Sequence, residues 1–292
     1  MPKSFTARFL VALVVGVAVA VVVAPFVALA VAGAGYSFPF PRIFDRVVMV
    51  TLAIVIVISA RSMRLFPLLR AGFADPIANL PRAGRGMVVA LAVMMLLFAA
   101  GFAMGGFGHA GHALRMLPKY VLSAIVIGII EEAFFRALVM GGMEADFGRT
   151  GALVISAAVY SVAHLVRAPA HFYVTALDLT AGVRTLGLSF TQLASPLSAL
   201  PTLFGLFLLG LALGEAFAVT GTVWFSAGLH AGFVIGAKLW PKLVVAHSAL
   251  PGWLAGWGHQ PLISGAAAWL AAIGVLILLR PLAGLRRDRG TA

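Results

Sequence analysis

The chain has 292 residues, of which 62% are hydrophobic and 10% charged, and its mean hydropathy is +1.07. A soluble domain carries roughly 25% charge, so this composition excludes a water-soluble globular protein, and its apolar content excludes disorder. The formal charge of +12 is read as loop charge that orients helices and meets anionic lipid, not as a nucleic-acid footprint. The chain has no cysteine, which excludes disulfides, thiolate metal sites, a cysteine nucleophile and lipid anchors on sulfur.

A spanning helix needs about 20 mostly apolar residues. The first such run is 9–32, too long for the apolar part of a signal peptide and read as a retained helix. Further runs follow at 46–60, 86–105, 119–143, 150–167, 200–214, 217–237 and 261–280. The expected fold is therefore all-α, a polytopic bundle of about eight transmembrane helices forming one membrane domain over 1–292. With the N-terminus inside, 12 Lys and Arg fall on the inner side and 8 on the outer, and Arg136 stays within a span. The inner set is densest between Arg61 and Arg85 and in the C-terminal tail, with Arg286, Arg287 and Arg289. Both termini are expected in the cytoplasm. The Ala, Gly and Arg bias has a bacterial character, which makes the expected location a bacterial inner membrane.

Two connections are more than turns. Residues 61–85 mix Arg with Leu, Phe, Pro and Gly and suit a short amphipathic interfacial segment. Residues 168–199 are long for a membrane loop and suit a cover or a partly re-entrant element. The pairs Gly101/Gly105, Gly210/Gly214 and Gly232/Gly236 fit close helix packing. No internal repeat or inverted pair of broken helices is visible, which weakens a transporter reading.

The fourth run carries Glu131, Glu132 and Arg136 in the middle of an apolar helix. Each ionised group there costs about 2.5–3.5 kcal/mol before pairing. Glu132 and Arg136 are i,i+4 and share a face, whereas Glu131 points about 100° away. The plainer account is a buried ion pair that locks packing, but one pair does not need a second glutamate. Two more spans contribute His164 and His230. Two imidazoles and a carboxylate suit a metal, acid–base chemistry on water, or a proton relay. His109, His112, His171, His247 and His259 fall at edges or in loops and are expected to be interfacial, and Glu215 is expected in a turn.

These residues resemble the CAAX protease and bacteriocin-processing family, also called Abi. Glu131-Glu132-Ala-Phe-Phe-Arg136 matches its Glu-Glu-x-x-x-Arg motif, and Tyr160 to His164 matches Phe-x-x-x-His with Tyr for Phe. Leu213-Gly214, Thr220-Gly221-Thr222-Val223-Trp224 and His230 resemble its later region. The resemblance covers about 118–236, the expected catalytic core. It implies a glutamate-dependent intramembrane endopeptidase without a metal, in which Glu131 and His164 activate water, Glu132 and Arg136 support them, and His230 stabilises the oxyanion. The family commonly has Asn or Asp four residues after the last His, where this chain has Val234. Ser226, four residues before His230, is the candidate substitute donor, and Trp224 a weaker one.

The expected function is hydrolysis of a peptide bond in a membrane-associated protein or peptide, with the lipid bilayer as the other partner and no nucleic acid. A zinc-dependent version on Glu131, His164 and His230 is the chemical variant. A non-catalytic membrane binder of the immunity type is the alternative from another class, and Val234 is its support. A proton-coupled transporter is the third.

Overall fold

The structure, a computed structural model, describes residues 4–283 apart from 107, 109, 170–171, 175, 245–249 and 258–259. His109, His171, His247, His259, Lys3, Arg286, Arg287 and Arg289 lie outside the described residues, as does the side chain of His112. In chain order the helices are α1 (Phe5–Gly33), α2 (Phe40–Ser59), α3 (Leu65–Gly72), α4 (Pro76–Ala103), α5 (Ala110–Glu132), a π-helical segment (Ala133–Met140), α6 (Gly141–Ala163), α7 (Thr180–Leu188), α8 (Pro196–Thr220), α9 (Val223–Leu243), α10 (Gly252–Ala255), α11 (Ala266–Ile277) and α12 (Leu279–Leu282). No strand occurs among the described residues. The all-helical expectation holds.

Among the described residues three helices are long and apolar enough to cross a membrane: α1, α4 and residues 197–220 of α8. The run at 200–214, one of the two shortest expected, thus belongs to one of the longest apolar helices, because Pro196 starts α8 early and Thr220 ends it late. The other expected spans carry charge or fall short. Arg42, Asp45 and Arg46 open α2, Glu131 and Glu132 close α5, and α11 has 12 residues, about 18 Å of helix. The runs at 119–143 and 150–167 lie on a nearly unbroken succession of α5, the π segment and α6. Gly148 interrupts it with φ +67°, a conformation that suits glycine. Residues 61–85 form the amphipathic α3 and, from Pro76, the first turns of α4.

The chain packs as two compact units. The first comprises Met1–Phe66 and Val162–Ala199, the second Pro67–Ser161 and Leu200–Ala292. In the first, Thr51 of α2 donates to the Gly16 carbonyl of α1 at 2.9 Å. Alanines 20, 24 and 28 of α1 pack on Phe40, Phe44 and Ala181. The long 168–199 connection folds onto these helices. Gly182 of α7 lies so close to Val21, near the midpoint of α1, that an added Cβ would strike the Val21 backbone. Phe172 stacks on Phe40 at 5.6 Å, and Arg184 caps the Phe172 ring at 4.4 Å. Asp178 accepts from the Thr180 backbone N–H at 2.9 Å and its hydroxyl at 2.6 Å. These bonds hold the Asp178 carboxyl below the usual carboxylate range. The outer face of α1 leaves Leu10, Val11, Val14 and Val22 exposed, a surface suited to lipid and not to water.

In the second unit α9 is held against α4 and α5 by small residues. A Cβ on Gly228 would strike the Ala83 backbone of α4, and one on Gly86 would strike the backbone at Phe225 and Leu229. Gly128 of α5 lies against Ala227 and Ala231. Glycine at these positions lets backbones approach closely. Gly232 and Gly236 meet Ala90 and Met94, and Gly210 and Gly214 of α8 meet Ala157 and Leu153 of α6. Gly221, with φ +71°, makes the tight turn from α8 to α9, and Thr220 hydroxyl bonds to the Ala216 and Thr222 carbonyls brace it.

Candidate functional site

At Glu132 the helix widens from α to π geometry for the eight residues Ala133–Met140. Such wide turns are rare and frequent at functional sites. Glu132 and Arg136 are each fully buried. Arg136 Nε donates to Glu132 Oε2 at 3.2 Å, and Nη1 donates to Ser156 Oγ of α6 at 3.2 Å. Ser156, fully buried, passes its own proton to the Phe135 carbonyl at 3.0 Å. Its hydroxyl therefore ties α6 both to the wide turn and to the guanidinium. The guanidinium carbon lies 5.2 Å from the centre of the Tyr160 ring, within cation–π range. Arg136 Nη2 is buried and makes no hydrogen bond among the described residues.

The other carboxylate oxygen, Glu132 Oε1, lies 3.0 Å from His230 Nδ1 of α9. An ionised carboxylate only accepts, so Nδ1 carries the proton and Nε2 faces away from Glu132. That nitrogen lies 3.6 Å from Glu131 Oε2, beyond a direct hydrogen bond. His230 is buried, and the Glu131 side chain keeps 28% of its surface exposed. The Tyr160 ring meets His230 edge-on at 6.0 Å and Phe135 at 5.1 Å. One connected core thus joins Glu131, Glu132, Arg136, Ser156, Tyr160 and His230 within the second unit. A buried charge is tolerated only when paired and hydrogen-bonded, and Glu132 meets that condition through both of its oxygens.

Ser226 is fully buried and donates to the Val223 carbonyl at 3.0 Å, within reach of the Glu132 carboxylate. Trp224 Nε1–H goes to the Ala74 carbonyl at 3.2 Å, and its ring meets Phe73 edge-on. Val234 packs against an apolar cluster of Ala124, Ala231 and Ile235 and offers no donor there. His164 follows the last residue of α6, is half-buried, and belongs to the first unit. Glu215 lies inside α8, not in a turn, and faces Arg149 at 3.8 Å, both partly exposed. Such a surface pair is worth little. Among the described residues no three His, Asp or Glu side chains are placed to hold a metal ion.

The expectation that Glu132 pairs with Arg136 holds in the structure. Sequence reasoning did not single out Ser156 or the Tyr160 phenol. Their signal is spacing: Ser156, Tyr160 and His164 recur at i, i+4 and i+8, a polar stripe along α6.

Residues 113–236 match the family model described as type II CAAX prenyl endopeptidase Rce1-like. No curated protein and no solved structure matches the chain. The matched segment begins in α5 and ends in α9, and so contains Glu131, Glu132, Arg136, Ser156, Tyr160, His164 and His230. Over residues 113–236, less than half of its length, the chain is therefore similar to the CAAX protease family, a family of membrane proteases.

Proposed function

We propose that the protein is an intramembrane endopeptidase that hydrolyses a peptide bond in a membrane-associated protein or peptide, with residues 118–236 as its catalytic core. The observation that carries this reading is the arrangement around His230. Glu132 holds Nδ1 at 3.0 Å, and Glu131, the partly exposed carboxylate, lies 3.6 Å from Nε2.

Glu131, assisted by His164, takes a proton from water. The resulting hydroxide oxygen bonds to the carbonyl carbon, and the carbonyl π electrons move to oxygen. Glu132 fixes the tautomer of His230, which leaves Nε2 for the oxyanion. Nε2 donates as the imidazolium, a form whose charge the Glu132 carboxylate on Nδ1 balances. Collapse restores the carbonyl and breaks the C–N bond, and the proton held on Glu131 goes to the leaving amine. Donors aimed at a developing oxyanion are worth roughly 10²–10³ in rate. Arg136 serves by neutralising Glu132 from the other side.

The eight-span layout, both termini in the cytoplasm and a bacterial inner membrane belong to the same reading, as does water activation without a metal. Leader peptides and C-terminal sorting tails are the substrate class that suits a bacterial membrane. A second reading, a binder that does not cut, rests on Val234 and its apolar surroundings.

The test compares wild type with Glu131→Gln in liposomes against a panel of membrane-protein tails, with and without chelator, read by mass spectrometry. Cleavage by wild type, absent in the variant and kept with chelator, is expected. Loss with chelator selects the zinc version. No cleavage of the panel by folded wild type selects the binder.

A further inference from the structure

Two hydrogen bonds hold the Arg136 guanidinium among the described residues. Nε donates to Glu132 Oε2 and Nη1 to Ser156 Oγ, each at 3.2 Å, while the buried Nη2 makes none. A planar fork held at one nitrogen swings about that bond, and held at two it is fixed. Ser156 is itself fixed, because its own proton goes to the Phe135 carbonyl at 3.0 Å. Phe135 and Arg136 are consecutive, so one hydroxyl ties the guanidinium to the backbone just before its own residue.

The consequence reaches His230. Glu132 Oε2 accepts from Arg136 Nε, and Oε1 accepts from His230 Nδ1 at 3.0 Å. Both oxygens lie in one carboxylate plane, so a swing of the guanidinium carries Oε1 with it. The imidazole follows, and with it Nε2, 3.6 Å from Glu131 Oε2. Ser156, Arg136, Glu132 and His230 thus form a series that is hydrogen-bonded at every step and buried at every member. A serine that only joined α6 to the wide turn would need its bond to Phe135 alone. Ser161, five residues on in α6, shows that simpler use. It is also buried, and its hydroxyl donates to the Leu203 carbonyl of α8 at 2.7 Å and bonds to no member of the series.

We infer that Ser156 is a positioning residue of the proposed reaction: through Arg136 and Glu132 it sets the direction in which the His230 imidazole presents Nε2. This rests on the proposed peptidase function. Ser156 stands two side chains away from the imidazole and takes no part in making or breaking bonds.

Full-length wild type, Ser156→Ala, Ser161→Ala and Glu131→Gln are compared in liposomes on the best-cleaved peptide of a panel of membrane-protein tails. Each is also melted in detergent. In parallel, the proton on the His230 ring is located by nitrogen NMR of histidine-labelled protein, with His230→Gln identifying the signal. Expected in Ser156→Ala is a fall in kcat of about tenfold, the size of one hydrogen bond to a charged group, with KM within about twofold. Its His230 signal is expected to show the proton shared between Nδ1 and Nε2, where wild type holds it on Nδ1. Ser161→Ala loses a buried interhelical bond and melts lower, but keeps kcat and the wild-type His230 signal. The inference is overturned if Ser156→Ala keeps kcat within about threefold of wild type while Glu131→Gln is inactive. It is equally overturned if Ser161→Ala loses as much kcat, if the His230 signal of Ser156→Ala matches wild type, or if Ser156→Ala no longer folds, each the sign of a packing role. Full activity in Glu131→Gln, or no cleavage by wild type, overturns the peptidase reading itself and the inference with it.

Discussion

Glu132 and His230 stand 98 positions apart in the chain and meet at 3.0 Å, carboxylate oxygen to Nδ1. The same carboxylate binds Arg136 through its other oxygen. Two adjacent glutamates therefore have separate duties, one enclosed and bound on both sides, the other partly open and facing the imidazole.

That division predicts opposite phenotypes for the same chemical change. Glu132→Gln leaves Arg136 buried without a counter-charge, and breaking one side of a buried pair costs about 3–5 kcal/mol. A large drop in melting temperature in detergent is expected. Glu131→Gln leaves the buried Glu132–Arg136 pair intact and is expected to melt within a few degrees of wild type while losing cleavage. Equal melting of the two variants would contradict the assignment.

Arg136→Lys tests the fork. Lysine keeps the charge but has one nitrogen where arginine uses Nε for Glu132 and Nη1 for Ser156. A destabilisation of about 1–3 kcal/mol is expected from the buried acceptor left unsatisfied, together with lower kcat. Ser156→Ala should cost less in the Arg136→Lys background than in wild type, because of its two bonds only the one to the Phe135 carbonyl is left to remove. A double-mutant cycle in melting measurements checks this.

Gly228→Ala tests the contact that sets α9 against α4. The added methyl meets the Ala83 backbone, which cannot rotate away. Overpacking of this kind costs about 1–3 kcal/mol. It also displaces the helix that carries His230, so cleavage should fall with stability. Gly33→Ala, with open space around the position, is the matched control and should change neither.

The Asp178 cap gives a pH dependence. Its carboxyl is held below the ordinary value of 3.8 by the Thr180 bonds. The cap is therefore complete above that value and is lost as pH falls through the lower folded one. Protection against hydrogen exchange at the first turn of α7, relative to the unfolded chain at the same pH, should fall in acid in wild type and be low at every pH in Asp178→Ala.

Helical class, the unusual charges of the fourth run and the Glu132–Arg136 pair were legible because each is a local matter of composition or of i,i+4 spacing. The site's closure was not. The contact of Glu132 with His230 depends on how α9 lies against α5, which Gly128, Ala227 and Ala231 set through backbone approach. Small residues show that helices approach, not which ones. The π turn was hidden as well, since no residue type marks a change from i+4 to i+5 bonding. The run at 200–214 read as short because Glu215 closes it, whereas the helix starts at Pro196 and runs through Glu215 to Thr220.

The separation of Glu132 from His230 also bears on how the chain enters a bilayer. Helices emerge from synthesis in order, so α5 and the π segment, with Glu131, Glu132 and Arg136, are made while α9 is still unmade. At that moment Arg136 is the only counter-charge at hand, and its neighbour Ser156 arrives with α6. Completion of the site and relief of the α5 charges are then one event, the docking of α9. A chain truncated at Thr220 should carry an unrelieved carboxylate and be the form that membrane quality control removes.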